Sequence, residues 1–306
     1  MRMIVNEKNS ASALNPYAVL ILGIIAVSTG SIFVCLADAP ALVTAASRMG
    51  LAALILNPLA AWKAGDELRS LSLHDIKLAM QSGFFLALHF AAWISSLDYT
   101  AIANSVVLVN TIPLWVGLFT PLISQDRISG STIASIIASV IGVAIIGFGD
   151  YATGGKALLG DLLAVFGAVS AAVYLLYGRN LRRKLSLFPY VAICYSSAAV
   201  ILWLGVLFLN LPMTGYSMKT VAAFWAMALI SQLIGHSSYN WSLKWFSTSL
   251  VAVSLLGEPI GSTLLAFIIL DEGLTLMKFG GGLFILSAIY IAASGEKRRN
   301  DEGMEV

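Results

Sequence analysis

Residues 16–36 read PYAVLILGIIAVSTGSIFVCL, an unbroken run without a charged side chain. About 20 such residues, rising 1.5 Å each in a helix, cross the hydrocarbon core of a bilayer. Nine comparable stretches follow outward from it, at 40–62, 76–97, 100–123, 130–148, 160–180, 187–209, 219–243, 247–270 and 275–294. The chain is 58% hydrophobic and 11% charged, where soluble domains carry about 25% charge. Its charges crowd into the gaps. The fold class expected is therefore an all-α integral membrane protein with ten transmembrane helices.

Ten spans in 306 residues leave no room for a soluble catalytic domain, so function must lie inside the bundle or at its mouths. The longest polar connector is Lys63–Asp75. A net charge of +2 without a basic stripe argues against nucleic acid as a partner. Cys35 and Cys194 stand alone in apolar segments, with neither a CxxC pair nor a metal spacing, and read as small packing residues. No metal or cofactor is expected. The Ala37-Asp38-Ala39 triplet resembles a signal cleavage site, but its apolar run exceeds a secretory h-region and Pro40 follows directly.

The basic residues orient the chain. One set of gaps holds Arg2, Lys8, Lys63, Arg69, Lys77, Arg127, Arg179, Arg182, Arg183, Lys184, Lys244, Lys297, Arg298 and Arg299; the other holds Lys156, Lys219 and Lys278. The positive-inside rule then puts both termini in the cytoplasm of a multi-pass plasma (inner) membrane protein, with Arg182-Arg183-Lys184 capping the sixth helix there.

The second half repeats the first at an offset of 146 residues. Leu97-Asp98-Tyr99 falls on Leu243-Lys244-Trp245, Pro113 on Pro259, Gln125-Asp126 on Asp271-Glu272 and Ala134 on Gly280. Five helices per half is an odd number, so the halves are inverted. The expected organisation is a cytoplasmic tail (1–15), a first five-helix repeat (16–148), an external connector (149–159), a second repeat (160–294) and a cytoplasmic tail (295–306). Inverted repeats let a bundle open alternately to each side around a site near the midplane, the architecture of many secondary transporters.

Gly30-Ser31-Ile32-Phe33, Arg48 in the second span and Tyr99-Thr100-Ala101-x-Ala103-x₉-Pro113 across the fourth resemble the EamA-type repeat of the drug/metabolite transporter superfamily, over about residues 16–294. The second copy supplies Glu258-Pro259 and Asp271-Glu272. The resemblance implies two five-helix bundles around a central cavity and transport of small metabolites, often amino acids, commonly outward. The halves depart from each other where Thr111-Ile112-Pro113 meets Gly257-Glu258-Pro259, so the acid occurs once only.

Polar side chains inside spans are costly and mark function by default. Arg48 and Glu258 are the charged residues placed deep in the bundle, each beside or facing apolar sequence. Pro259 lacks a backbone donor and strains the preceding turn, as does Pro113, so both are read as helix-kink positions. Glu258 would hold a substrate ammonium or a coupling proton, or else pack the kink. Arg48 would satisfy buried carbonyls or bind a substrate carboxylate. The third span carries His89 and Trp93 one turn apart, and the eighth carries Gln232, His236 and Tyr239-Asn240 at i, i+4 and i+7/i+8. Inversion suggests that His89 and His236 line opposite ends of one pathway. Asn110 and Tyr174, with Tyr177, complete the candidate lining. Small residues on the fifth span (Ser131, Ala134, Ser135, Ala138, Ser139, Gly142) and Gly280-Gly281-Gly282 on the tenth suit close helix packing or a homodimer contact.

The expected function is a secondary transporter of a small amphipathic metabolite, an amino acid or related zwitterion, exported by alternating access and open to proton coupling. A nucleotide-sugar or drug-type transporter of the same superfamily is the alternative, although a diphosphate needs more deep basic groups than Arg48. An intramembrane enzyme lacks support: no GxSxG, HExxH or GxxxxGK[ST] pattern occurs.

Overall fold

The computed structural model describes residues 14–100, 105, 108–123, 128–148, 157–270 and 276–301. Among the described residues every regular element is a helix. In chain order these are α1 (Pro16–Ser28), α2 (Gly30–Leu36), α3 (Ala41–Ser70), α4 (Leu73–Ser96), α5 (Ile112–Ile123), α6 (Gly130–Phe148), α7 (Ala157–Arg182), α8 (Leu187–Phe208), α9 (Met218–Ser242), α10 (Thr248–Leu255), α11 (Gly257–Leu270) and α12 (Leu276–Asp301). Among the described residues, seven continuous or nearly continuous helical segments are long and apolar enough to cross a membrane, and three shorter apolar helices accompany them. The outer surface is apolar as a lipid-facing surface must be: Ile21, Leu22, Ile25, Leu118, Leu122, Leu204, Phe208 and Ile268 are all exposed. The protein is thus a multi-pass membrane protein.

Helix boundaries correct several expectations. The first stretch is broken at Thr29, whose hydroxyl donates to the Ala26 carbonyl at 2.7 Å. The second continues as helix through residues expected to be connector, up to Ser70, with a non-helical Ala64 (φ −140°) marking where the apolar part ends. The last helix runs on through Asp301, so the tail expected from residue 295 is helical over its first turns. The fourth and ninth stretches are not kinked but interrupted. Asn110-Thr111 form a turn before α5, and Leu256 caps α10 before α11 begins. Pro113 and Pro259 therefore sit in the first turn of a new helix, where the missing N–H is no loss. Cys194 is buried, as expected of a packing residue, but Cys35 is exposed. Ala101, Ala103, Gln125-Asp126, Asp271-Glu272, Lys156 and most of the connector lie outside the described residues.

Contacts between the two halves come in exchanged pairs. Helix α4 packs on α7 and α9 on α1; α5 on α7 and α11 on α1; α4 on α8 and α9 on α3. The pairs α3 with α8 and α6 with α12 map onto themselves under the same exchange. The small-residue stripe is used within the chain, because a Cβ on Gly142 would lie 2.8 Å from the Gly281 carbonyl oxygen. Close α6–α12 packing requires that glycine.

Two arginines close the end of α9. Arg179 Nη1 donates to Leu243 O at 2.6 Å, and Arg182 Nε donates to Asn240 O at 3.0 Å while its Nη1 bonds Leu185 O. Both side chains are buried. They satisfy carbonyls that a helix end leaves without intrahelical donors. Arg182→Met keeps the apolar stem and removes these donors; the variant is expected to lose about 2 kcal/mol of stability. Thermal inactivation in detergent checks this, and an unchanged midpoint would remove the arginine from the helix-end role.

Candidate functional site

Of the polar residues singled out from sequence, Arg48, His89, Trp93, Tyr174, Gln232, His236 and Tyr239 meet in one buried cluster between the halves. Its centre is Phe90, 1% exposed. The Arg48 guanidinium lies 4.2 Å above the Phe90 ring, in cation–π geometry. The His89 ring is 4.9 Å and the His236 ring 5.2 Å from the same phenyl group. Both imidazoles thus flank one ring, and the expectation that they occupy opposite ends of a pathway is corrected. The repeat explains the meeting: Phe90 and His236 are 146 residues apart, as are Trp93 and Tyr239.

Each helix places its group by a local rule. On α4, His89 and Trp93 are four residues apart and their rings stack at 6.1 Å with planes 6° apart. His89 Nδ1 lies 3.0 Å from the Gly167 carbonyl of α7. A carbonyl only accepts, so Nδ1 carries the proton and Nε2 of the neutral ring remains an acceptor. On α9, residues Met227–His236 are π-helical. The 3.6-residue spacing used to align Gln232 with His236 does not hold there, yet both side chains are buried. Such stretches are frequent at functional sites.

Around this centre runs a hydrogen-bonded shell. Gln232 Oε1 accepts from Arg48 Nε at 2.9 Å. Asn240 Nδ2 donates to the hydroxyls of Tyr174 at 2.6 Å and Tyr195 at 3.1 Å. Tyr195 also pairs with Ser237 at 3.2 Å, and Ser82 with Tyr190 at 2.8 Å. His236 lies 6.4 Å from the Tyr174 ring and 5.9 Å from that of Tyr239. Glu258 is half-buried in the first turn of α11 and within electrostatic range of Arg48 and Tyr239. Asn110 is buried at the break before α5. Tyr177 stacks instead on Phe85 at 6.0 Å, away from the Phe90 centre.

Sequence reasoning missed Phe90, Tyr195, Tyr190 and Ser82. Phe90 was detectable, since the repeat offset lays it on His236. The tyrosines of α8 gave no such signal, because an aromatic in an apolar helix is ordinarily core. At the offset of 146, Arg48 corresponds to Cys194, so the deep cation, like the deep acid, belongs to one half only. Among the described residues several buried atoms have no hydrogen-bond partner within 3.5 Å: Arg48 Nη2, Gln232 Nε2 (which faces the Tyr195 hydroxyl), Trp93 Nε1, His236 Nδ1, Tyr239 OH and Asn240 Oδ1. Buried polar atoms ordinarily find partners. Six at one place describe a surface suited to a polar solute rather than a finished core.

The sequence profile of the EamA-like transporter family matches residues 15–148 and again 158–294. An uncharacterized transporter of Archaeoglobus fulgidus is 28% identical over 189 residues, 60% of this chain and 65% of its own. One from Clostridium kluyveri is 28% identical over 211 residues, 67% of this chain and 68% of its own. The chain thus matches about two thirds of the length of these relatives. A crystal structure superposes with a TM-score of 0.76 at 16% identity, over 92% of this chain and 98% of its own, which shows a shared fold. With two copies of the family's repeat covering nearly its whole length, the chain belongs to the EamA-like transporter family of the drug/metabolite transporter superfamily.

Proposed function

We propose that the protein is a secondary transporter that exports a small amphipathic metabolite, an amino acid or related zwitterion, by alternating access. In this reading ten helices form two inverted five-helix repeats, 16–148 and 160–294, with both termini in the cytoplasm of the plasma membrane. The observation that carries it is the cluster at Phe90 and His236, where equivalent positions of the two repeats meet 5.2 Å apart amid polar groups from α3, α4, α7 and α9. The exchanged helix contacts support the inversion, because two structurally similar halves can trade conformations around such a centre. His89, Trp93, Asn110, Tyr174, Gln232, His236, Tyr239 and Glu258 line the solute site. Rings supply apolar faces while amides and charges orient the polar end. Outward transport rests on the family resemblance.

The test is flux of labelled amino acids in proteoliposomes, with and without a pH gradient. Saturable flux of any of them supports the reading; flux indistinguishable from protein-free liposomes overturns it. Topology has its own check, on a Cys35→Ser background with Cys194 buried and silent. A Thr214→Cys variant, exposed in the connector before α9, is expected to react with an impermeant maleimide from outside intact cells. Arg183→Cys, exposed beyond α7, should react only after permeabilisation. The opposite pattern would refute the orientation and the inversion together.

A further inference from the structure

Among the described residues, Arg48 is a buried cation with no acid in ion-pair range. It is 1% exposed, yet among the described residues the ion pairs within 4.0 Å are Arg69 with Asp66 and Lys184 with Asp75, both far from it in the chain. Its contacts are the Gln232 amide and the face of Phe90. Charged groups are seldom buried so deeply unless paired. A guanidinium presents Nε and Nη2 along one edge, the fork that takes the two oxygens of a carboxylate. Here Nε is given to Gln232 Oε1, while Nη2 has no protein partner. Gln232 Nε2, the other end of the amide that Arg48 holds, faces the Tyr195 hydroxyl but makes no hydrogen bond to it within 3.5 Å. Two donors are open at one junction.

The unmet demand of the whole cluster has a sign. Arg48 Nη2, Gln232 Nε2 and Trp93 Nε1 can only donate, against one atom, Asn240 Oδ1, that can only accept. A ligand that completes this set brings acceptor oxygens and negative charge. Glu258, in electrostatic range of Arg48 but not in an ion pair with it, offers the opposite pole.

Resting on the transporter reading above, we infer that Arg48 and Gln232 bind the carboxylate of the transported solute, so that a free carboxylate is required of every substrate. The aromatic rings beside them take the apolar part and Glu258 faces the amine. The Arg48–Gln232 bond then serves to aim the guanidinium rather than to complete the fold.

The experiment uses the full chain and three probe pairs: L-phenylalanine, L-leucine and L-threonine, each beside its carboxamide, which keeps the amine and removes the carboxylate charge. Binding is read as a thermal shift of the purified protein, and transport as competition against labelled amino acid in proteoliposomes. At least one amino acid is expected to stabilise the protein, with its carboxamide weaker by at least about tenfold in apparent affinity. Gln232→Glu places an acid on Arg48 and should abolish that shift while leaving the unliganded protein as stable as the wild type. Equal shifts for both members of a pair, no shift with any probe, or ligand binding retained in Gln232→Glu would overturn the inference. Flux of acids and carboxamides alike leaves the transporter reading standing without this one. Binding of the acids alone without flux does the reverse.

Discussion

Replacing Gly83 by alanine is expected to destabilise the protein by about 3 kcal/mol, the upper part of the overpacking range. In an unconstrained helix the same change stabilises by up to about 1 kcal/mol, because alanine is the better helix former. The sign reverses at this position because a Cβ on Gly83 would lie 2.3 Å from the Cys194 carbonyl oxygen and 2.8 Å from Ser197 Cβ. The obstacle is the backbone of α8, which no rotamer change can move. Nor can α8 withdraw freely: it packs on both α3 and α4, and Ser82, next to the glycine, holds the Tyr190 hydroxyl at 2.8 Å. The control is Gly65→Ala, where nothing lies within 4 Å of the added carbon. Thermal inactivation of the two variants in detergent checks the difference. Equal midpoints would mean that the α4–α8 contact is looser than described.

The second large effect concerns Glu258. Glu258→Gln keeps shape and hydrogen bonding and removes the charge; flux is expected to fall by about thirtyfold or more, on the scale of a lost charge-assisted hydrogen bond. Glu258 sits in the first turn of α11, where the helix dipole favours a negative group. That placement alone would make it a capping residue. Its partial burial and its electrostatic range to Arg48 and Tyr239 put it at the edge of the cluster instead. The measurement is flux per inserted protein across a series of pH values. Lost flux with normal insertion assigns the carboxylate to solute or proton handling. Flux retained without its pH dependence assigns it to coupling. Wild-type flux and pH dependence together would reduce Glu258 to packing at the helix break.

Much of the candidate site was legible because a polar side chain in an apolar span is conspicuous. His89, Trp93, Tyr174, Gln232, His236 and Tyr239 are all buried around the same centre. Their mutual arrangement was not legible. Inversion alone suggested that the histidines sit apart, whereas both rings lie about 5 Å from Phe90, and α9 carries a π-helical stretch that the ideal-helix count did not include. Hydrogen-bond register of that kind is decided by neighbouring helices, not by the residues that adopt it.

The chain by itself determined membrane residence, the ten apolar stretches and the 146-residue repeat, and it marked Pro113 and Pro259 as places where the helix ladder is weakened. These depend on hydrophobicity summed over about 20 consecutive residues and on a missing backbone donor, both written in neighbouring positions. Only the tertiary structure decided that Arg48 meets Gln232 rather than Glu258, that Arg179 and Arg182 close the end of α9 rather than face the lipid headgroups, and that the Phe90 ring of one half receives His236 of the other. Each of those outcomes joins residues 58 to 184 positions apart. A buried charge takes whatever partner the packing of whole helices brings within about 3 Å, and no local pattern specifies that partner.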